Sequence, residues 1–393
     1  MKVVVNAFSA RLGGGQTYLR NLFAHLPDDP GLDVQVFAAD DLALPPDPRV
    51  RRVHTAWPTT NPLLRAVWEK LALPRWLAKQ RADVLFCPGG VVATRPPRGV
   101  KVVSMFRNMI PFDARVMAAM PWGPQRLRNL ILRRVLLRSL AEADLSIFIS
   151  DYAHACIERR RHIANAVTIP HGIAAAFRTA GGEVERPAAA PAGRYLLYVS
   201  RFDIYKHHAE VVQAYARLDA AVRERHPLLL LGENDLPSAS RVRALVRSLG
   251  LQGQVQMPGA VPYADLPAYY HHAHAIVFAS SCENCPNILL EALGAGRPVL
   301  CSDVMPMPEF GGDGLLYFSP YDSASLHAAL HKVIADEALS RQVAAAALER
   351  SRQYDWAVTA RRTWARILAL GTASGSASAR ARDDGTAVVH GGS

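Results

Sequence analysis

The sequence predicts an α/β protein built from two Rossmann-like domains that face one another across a cleft. Three observations predict it. Short runs of Val, Ile and Leu alternate with longer stretches rich in Ala, Leu and Arg, the pattern of strands followed by helices. The alternation is interrupted once, over residues 177–194, by an Ala-, Gly- and Pro-rich stretch without period, and then begins again. Many of the apolar runs end at polar or Gly-rich loops, where an open parallel sheet places its ligands. At 393 residues the chain is long for one core and sufficient for two.

Residues 2–8 (KVVVNAF) read as the first strand. SARLGGGQ follows at 9–16, with three consecutive glycines before a helix at 17–26. The spacing is not G-x-G-x-x-G. Glycines at a strand-to-helix turn still let backbone N–H groups approach an anion, and a tight turn without a ligand is the other reading. Residues 32–38 give a second strand, and a Pro-rich loop at 40–52 leads into a short third. Residues 61–79 read as a helix broken near Pro74. ADVLFC, 82–87, is a buried strand stopped by Pro88-Gly89-Gly90. KVVSM, 101–105, runs into a polar and aromatic loop at 106–112. Residues 144–149 form another strand, after which Ser150 caps a helix at 151–160. A short strand at 167–169 ends in Pro170-His171-Gly172.

The pattern restarts with YLLYVS at 195–200, a loop carrying Arg201 and Lys206, and a helix at 209–218. Strands at 228–231 and 255–257 alternate with helices at 241–249 and 266–271. HAIVFA, 274–279, is a strand. A polar loop holding Glu283 follows it, then an amphipathic helix at 287–293 that Gly294 and Gly296 stop. Strands at 298–301 and 315–318 and helices at 323–334 and 340–350 complete this half. A terminal helix at 354–370 comes last. From Gly371 the Ala/Ser/Gly composition reads as a disordered tail. The expected division is therefore 1–176, a linker at 177–194, 195–350, a terminal helical segment at 351–370 that crosses back to the first domain, and a tail at 371–393.

Net charge is +11, which calls for an anionic partner. The stretch RLRNLILRRVLLR places Arg126, Arg128, Arg133, Arg134 and Arg138 among leucines. At helical spacing this gives an apolar stripe beside a basic face. It reads either as an ordinary surface helix or as contact with an anionic membrane surface. No zinc-finger, RRM or KH signature is present, so no nucleic-acid partner is expected. No apolar run reaches membrane-spanning length. The first run is too short for a signal peptide. Five scattered cysteines (Cys87, Cys156, Cys282, Cys285 and Cys301) suggest a reducing compartment. The expectation is a cytoplasmic protein, with peripheral contact at the inner face of the cell membrane as its extension.

Two carboxylates flank the start of the 287–293 helix. Glu283 and Glu291 suit an acid/base pair. One lies in a loop and the other in a helix, which also suits two grips on ligand hydroxyls, as when a carboxylate holds a ribose. Structural alternatives are a solvated loop residue and a favourable charge in the first turns of a helix. Arg201 and Lys206 at one strand end suit a diphosphate. Cys282 and Cys285 form a lone C-x-x-C without a second pair, so no metal is expected there.

With these residues in place, the chain resembles the retaining glycosyltransferases of family 4 (group 1), most of all those of bacterial surface-polysaccharide synthesis. Their fold is GT-B. The E-x7-E element appears as Glu283-Asn284-Cys285-Pro286-Asn287-Ile288-Leu289-Leu290-Glu291. The basic loop appears as Ser200-Arg201-Phe202-Asp203-Ile204-Tyr205-Lys206, and the glycine loop as Gly13-Gly14-Gly15. The resemblance covers about residues 1–370. It implies an N-terminal acceptor domain and a C-terminal nucleotide-sugar domain. It implies that Arg201 and Lys206 bind the diphosphate and stabilise its departure, and that Glu283 contacts the donor sugar. Glu291 would hold the ribose, Asn287 and Ile288 would offer backbone N–H groups, and Gly14 and Gly15 would lie near phosphate and acceptor. Arg201, Lys206 and Glu283 are the expected catalytic residues.

No cofactor or metal is implied beyond a nucleoside diphosphate sugar as donor, with UDP and GDP both open. The implied partners are that donor, a glycan or lipid-linked acceptor, and an anionic membrane surface. One departure stands out. Where many members carry His-Asp, this chain has Arg107-Asn108, so its sugar or acceptor pocket should differ. The alternatives are a non-catalytic nucleotide-sugar-binding protein and a sugar phosphorylase or epimerase on the same fold.

Overall fold

The apolar runs become strands with both faces covered. In the computed structural model, residues 1–10, 13–57, 59–178 and 184–383 are described. They divide into two units. One comprises Met1–Arg107, Trp122–Pro170 and the chain from Trp356 onward; the other comprises Asn108–Pro121 and His171–Asp355.

In chain order the first half contains β1 (Lys2–Asn6), α1 (Gly14–Ala24), β2 (Asp33–Phe37), β3 (Val50–Arg52), α2 (Pro62–Gln80), β4 (Val84–Cys87) and β5 (Lys101–Phe106). Then come α3 (Ala114–Ala119), α4 (Pro124–Glu142), β6 (Leu145–Phe148), α5 (Asp151–Glu158) and β7 (Ala166–Thr168). The strands pair in parallel in the order β3-β2-β1-β4-β5-β6-β7. Parallel neighbours need crossover helices, and these cover both faces. That is why Val3, Val4, Val5, Leu85 and Phe86 are fully buried.

The second half contains β8 (Leu196–Val199), α6 (His208–Ala216), α7 (Ala220–Arg225), β9 (Leu228–Leu231), α8 (Pro237–Ser248), β10 (Val255–Gly259), α9 (Leu266–His272) and β11 (Ala275–Phe278). After these come α10 (Asn287–Gly294), β12 (Val299–Ser302), α11 (Met307–Gly311), β13 (Leu316–Phe318), α12 (Ser323–Ala335), α13 (Glu337–Ser351) and α14 (Trp356–Asp383). Its parallel sheet runs β10-β9-β8-β11-β12-β13. All four leucines of β9 are buried.

Several expectations shift. The helix expected to break at Pro74 runs through it. A proline inside a helix removes one backbone bond, and Leu73 and Leu77 on either side are fully buried in the core. Residues 177 and 178, expected in the linker, belong to the second unit. Phe177 is buried in its core, and Arg178 donates to the Ser351 and Tyr354 carbonyls. The last helix packs on the first unit: Trp364 Nε1 donates to Leu22 O at 3.0 Å and Thr359 Oγ1 to Pro170 O at 2.8 Å. It continues to Asp383, past Leu370 where the sequence reading ends it. Alanines carry helix propensity across that stretch. Residues 384–393 of the expected tail lie outside the described residues.

On α4 the leucines do not form one inward stripe. Leu136 and Leu140 are buried, while Leu127 and Ile131 are 58% and 52% exposed. The arginine pair at 133 and 134 interrupts the apolar spacing, so apolar residues reach both sides of the helix.

Candidate active site

In the second unit, chain order and strand order part company between β8 and β11. The sheet grows toward β10 on one side and toward β13 on the other. Such a switch point splays the two flanking loops apart and leaves a crevice at the carboxyl ends of the strands. The loop after β8 carries Arg201 and Lys206, and the loop after β11 carries Glu283.

The two loops are tied together. Ser281 N donates to Tyr205 O at 2.9 Å, and His207 Nε2 lies 2.8 Å from Ser281 Oγ. Tyr198 OH, from β8 itself, donates to Lys206 O at 2.7 Å. These bonds bring the Lys206 ammonium into direct contact with the Glu283 carboxylate, with side chains only 9% and 17% exposed. Arg201 pairs with Glu233, after β9, at 3.2 Å, and both of those side chains are about half exposed. Each expected diphosphate cation therefore meets a carboxylate of this chain. The four groups sum to zero formal charge.

α10 starts at Asn287, after Pro286, and no side chain caps its N-terminus. Its first amides are thus donors facing the same end of the sheet. Asn287 Oδ1 accepts from His171 Nδ1 at 2.7 Å. The Ile288 carbonyl accepts from Tyr270 OH at 3.4 Å. Glu291 follows one turn later, buried, and accepts from Tyr263 OH at 2.9 Å. Burial pushes its carboxyl up to about 8, against the opposing pull of the tyrosine bond. It is therefore largely protonated at neutral pH. Gly232, between β9 and Glu233, has φ +146, and a Cβ there would lie 2.0 Å from the Ser200 carbonyl oxygen. Only glycine lets this backbone pass so close to the Arg201 loop.

Cys282 hydrogen bonds Asp113, and burial with nearby negative charge pushes its thiol well above the usual range. Among the described residues no group of three His, Cys, Asp or Glu forms a metal-binding cluster.

In the first unit, Gly14 and Gly15 open α1, after Gly13 at φ +57. A Cβ on Gly15 would lie 3.2 Å from Ala10 Cβ and 3.7 Å from Arg107 Nη1. The Arg107 guanidinium, at the carboxyl end of β5, lies 5.5 Å from the Tyr18 ring centre. Gly15 and Arg107 are thus brought together. Asn108 falls in the other unit, and its Oδ1 accepts from Ile110 N at 3.1 Å in a turn. A cavity of about 410 Å³ opens beyond β1 to β3, lined among others by Phe8, Asp40, Asp41, His54 and Thr55.

Sequence reasoning missed Tyr263, Glu233, Asp113 and the His207–Ser281 tie. Glu233 carried a signal, being charged at a strand's carboxyl end. Tyr263 carried none, since it meets Glu291 from a loop 28 residues earlier.

Comparison with known proteins agrees in two halves. Residues 184–350 match the description of glycosyl transferases group 1, and residues 12–177 match glycosyltransferase family 4. The O-antigen chain mannosyltransferase B of Escherichia coli is 31% identical over 166 residues, 41% of this chain and 42% of that protein. The chain thus spans less than half the length of that relative. Among solved structures, the sucrose-phosphate synthase of Thermosynechococcus elongatus superposes with a TM-score of 0.74 at 20% identity, over 95% of this chain and 100% of that one. WaaG, a glycosyltransferase involved in lipopolysaccharide biosynthesis, gives 0.69 at 17% identity, over 93% and 99%.

Proposed function

From a chain that belongs to the group 1, family 4 glycosyltransferases and carries their GT-B fold, we propose the transfer of a sugar from a nucleoside diphosphate sugar to a hydroxyl of a glycan acceptor, with retention at the anomeric carbon. The observation that carries this reading is the Lys206–Glu283 pair across the switch point between β8 and β11. Cation, carboxylate and open helix N-terminus meet where an α/β sheet receives its ligand.

On this reading Lys206 and Arg201 bind the diphosphate, assisted by the Asn287 and Ile288 N–H groups. Glu283 accepts from donor-sugar hydroxyls and Glu291 from the ribose. The bond from the anomeric carbon to the diphosphate oxygen breaks. The acceptor oxygen bonds to the same face of that carbon, and its proton passes to the departing diphosphate. Positive charge fixed at the leaving oxygens stabilises the transition state without a metal.

In the first unit, Gly14 and Gly15 at the start of α1, with Arg107 beside Gly15, are read as acceptor-side groups. Two carboxylates in the β1–β3 cavity disfavour an acceptor phosphate there, and its mixed hydroxyl and aromatic lining suits a neutral sugar. Asn108, held in its turn, shapes the start of the 110–112 segment.

The acceptor is read as lipid-linked and the protein as peripheral on a membrane. Support comes from α4. Trp122 is 79% exposed with the Arg126 guanidinium 4.1 Å over its ring, next to exposed Leu127 and Ile131 and the helix arginines. Such a surface suits the headgroup region of an anionic bilayer. No described helix is long and apolar enough to cross a membrane. The nearby O-antigen mannosyltransferase makes a mannosyl donor the first to try.

The test is a screen of nucleoside diphosphate sugars with lipid-linked and free glycan acceptors. Acceptor-dependent release of nucleoside diphosphate is expected. Binding without any release would leave a nucleotide-sugar-binding protein instead, and phosphate-dependent or acceptor-free turnover a phosphorylase or epimerase. Flotation with anionic against neutral vesicles tests the membrane reading, and equal recovery would reject it.

A further inference from the structure

The second unit has a cavity of about 490 Å³ that the donor reading does not use. Its lining includes Arg186, Arg194, Arg297 and Arg341, with His272 and His274. Among the described lining residues Glu337 is the one carboxylate, and it already pairs with Arg341 at 3.2 Å.

The position is set by the sheet. Arg194 precedes β8, His274 precedes β11 and Arg297 precedes β12, so the cavity lies at the amino ends of the strands. Lys206 and Glu283 follow the carboxyl ends of β8 and β11. A four-residue strand separates the two ends by ~13 Å at ~3.3 Å per residue. One small ligand cannot fill both places.

The electrostatics are those of a site short of negative charge. Arg297 is half-buried and sits close enough to Arg186 that burial and its neighbour both disfavour its charged form. Burial, then the neighbouring His226 and the positive charge of Arg194 and Arg297, push the His274 imidazole down to about 4. His274 Nε2 is buried and makes no hydrogen bond within the described residues. Guanidinium groups held near one another, with one carboxylate among them, are stabilised by an anion that accepts from several at once. Phosphate oxygens match the guanidinium fork in pairs. The volume lies within the range of small-molecule sites and exceeds what one inorganic phosphate needs.

We propose that this cavity binds a small, multiply charged phosphate compound, a pyrophosphate or a phosphorylated sugar, at a site separate from the donor site. Its lining touches the donor end through one element. Ser340 and Arg341 belong to α13, which packs on α10, the helix of Asn287 and Glu291. Occupancy therefore bears on donor affinity, a consequence that rests on the donor reading; the binding itself does not.

The experiment is isothermal titration of the full chain with inorganic phosphate, inorganic pyrophosphate and a hexose bisphosphate. The same titrations are run on two variants. Arg194→Gln with Arg341→Gln changes two exposed side chains and should weaken pyrophosphate or bisphosphate binding at least tenfold. Arg201→Gln and Lys206→Gln combined with Glu283→Gln, which leaves no buried carboxylate unpaired, should remove any binding at the donor end and leave this site within threefold of wild type. The preferred probe identifies the source, pyrophosphate or sugar phosphate. Hydrogen exchange on the unmodified chain, with the same probes, should slow at residues 186–194 and 337–344, and it does not depend on any variant folding. The proposal is overturned if the Arg194/Arg341 variant binds as wild type does, if binding disappears in the donor-end variant, or if no probe slows exchange in those segments.

Discussion

Replacing Glu283 with Gln should tighten binding of the nucleoside diphosphate product while leaving affinity for the intact donor sugar little changed. In the free protein the Glu283 carboxylate neutralises Lys206 in a pair that is largely out of water. A phosphate oxygen accepting from the far side of the ammonium would lie roughly 5–6 Å from that carboxylate, two hydrogen-bond lengths away. At an effective dielectric near 20 the repulsion is about 3 kcal/mol per unit charge, and about 0.8 kcal/mol if water screens it fully. With side chains 9% and 17% exposed, the interaction falls nearer the first figure. Glu283→Gln keeps the shape and removes the charge. Diphosphate affinity should therefore rise by about thirtyfold to a hundred-and-fiftyfold. The donor gains the same relief but loses a charged acceptor for its sugar hydroxyls, a bond of about 1.5–3 kcal/mol. Titration calorimetry with UDP, GDP and the active donor at two salt concentrations reads both effects. An unchanged or weaker diphosphate affinity in the variant would refute the placement of phosphate on Lys206.

Other outcomes follow from the same geometry. Lys206→Ala should lower turnover by about 10²–10³ and, by leaving Glu283 unpaired, lower stability by about 3–5 kcal/mol; adding Glu283→Gln should restore the melting temperature and not the rate. Glu291, with its carboxyl pushed up to about 8 from an ordinary 4.5, should make the fold less stable as pH rises from about 4.5 through about 8. Its contribution is complete at the acid end because the folded state holds the proton more tightly, so Glu291→Gln should flatten that slope in urea melts. If ribose hydroxyls donate to Glu291, donor binding at pH 7 should release up to about one proton, read from calorimetry in two buffers of different ionisation enthalpy and absent in Glu291→Gln. Gly232→Ala places a Cβ 2.0 Å from the Ser200 carbonyl at φ +146, and calorimetric unfolding should show a loss of at least about 3 kcal/mol.

Period and punctuation made much of this legible in the sequence. β1, β4, β9 and β11 announce themselves as apolar runs closed by polar or glycine loops, and Glu283, Lys206 and Arg201 stand out because they sit in those loops. Strand order did not announce itself. Nothing local says that β8 lies beside β11, yet that adjacency presses Lys206 onto Glu283 and turns two separate candidates into one ion pair. Long-range partners were likewise hidden: Tyr263 reaches Glu291 and His171 reaches Asn287 across 28 and 116 residues. Composition misled at α4, where apolar residues beside arginines suggested a single stripe and the burial pattern shows two sides. At Pro74 a local breaker was outweighed by buried neighbours on both sides.

Retaining transfer from a nucleoside diphosphate sugar at the Lys206–Glu283 switch point is read from the stereochemistry of its product. In proton NMR of the product formed from the active α-linked donor, run in parallel with Lys206→Ala, the native chain should give an α-linked product with one nucleoside diphosphate released per linkage, and the variant should lose both. A β-linked product, or transfer at native rate without Lys206, would contradict it.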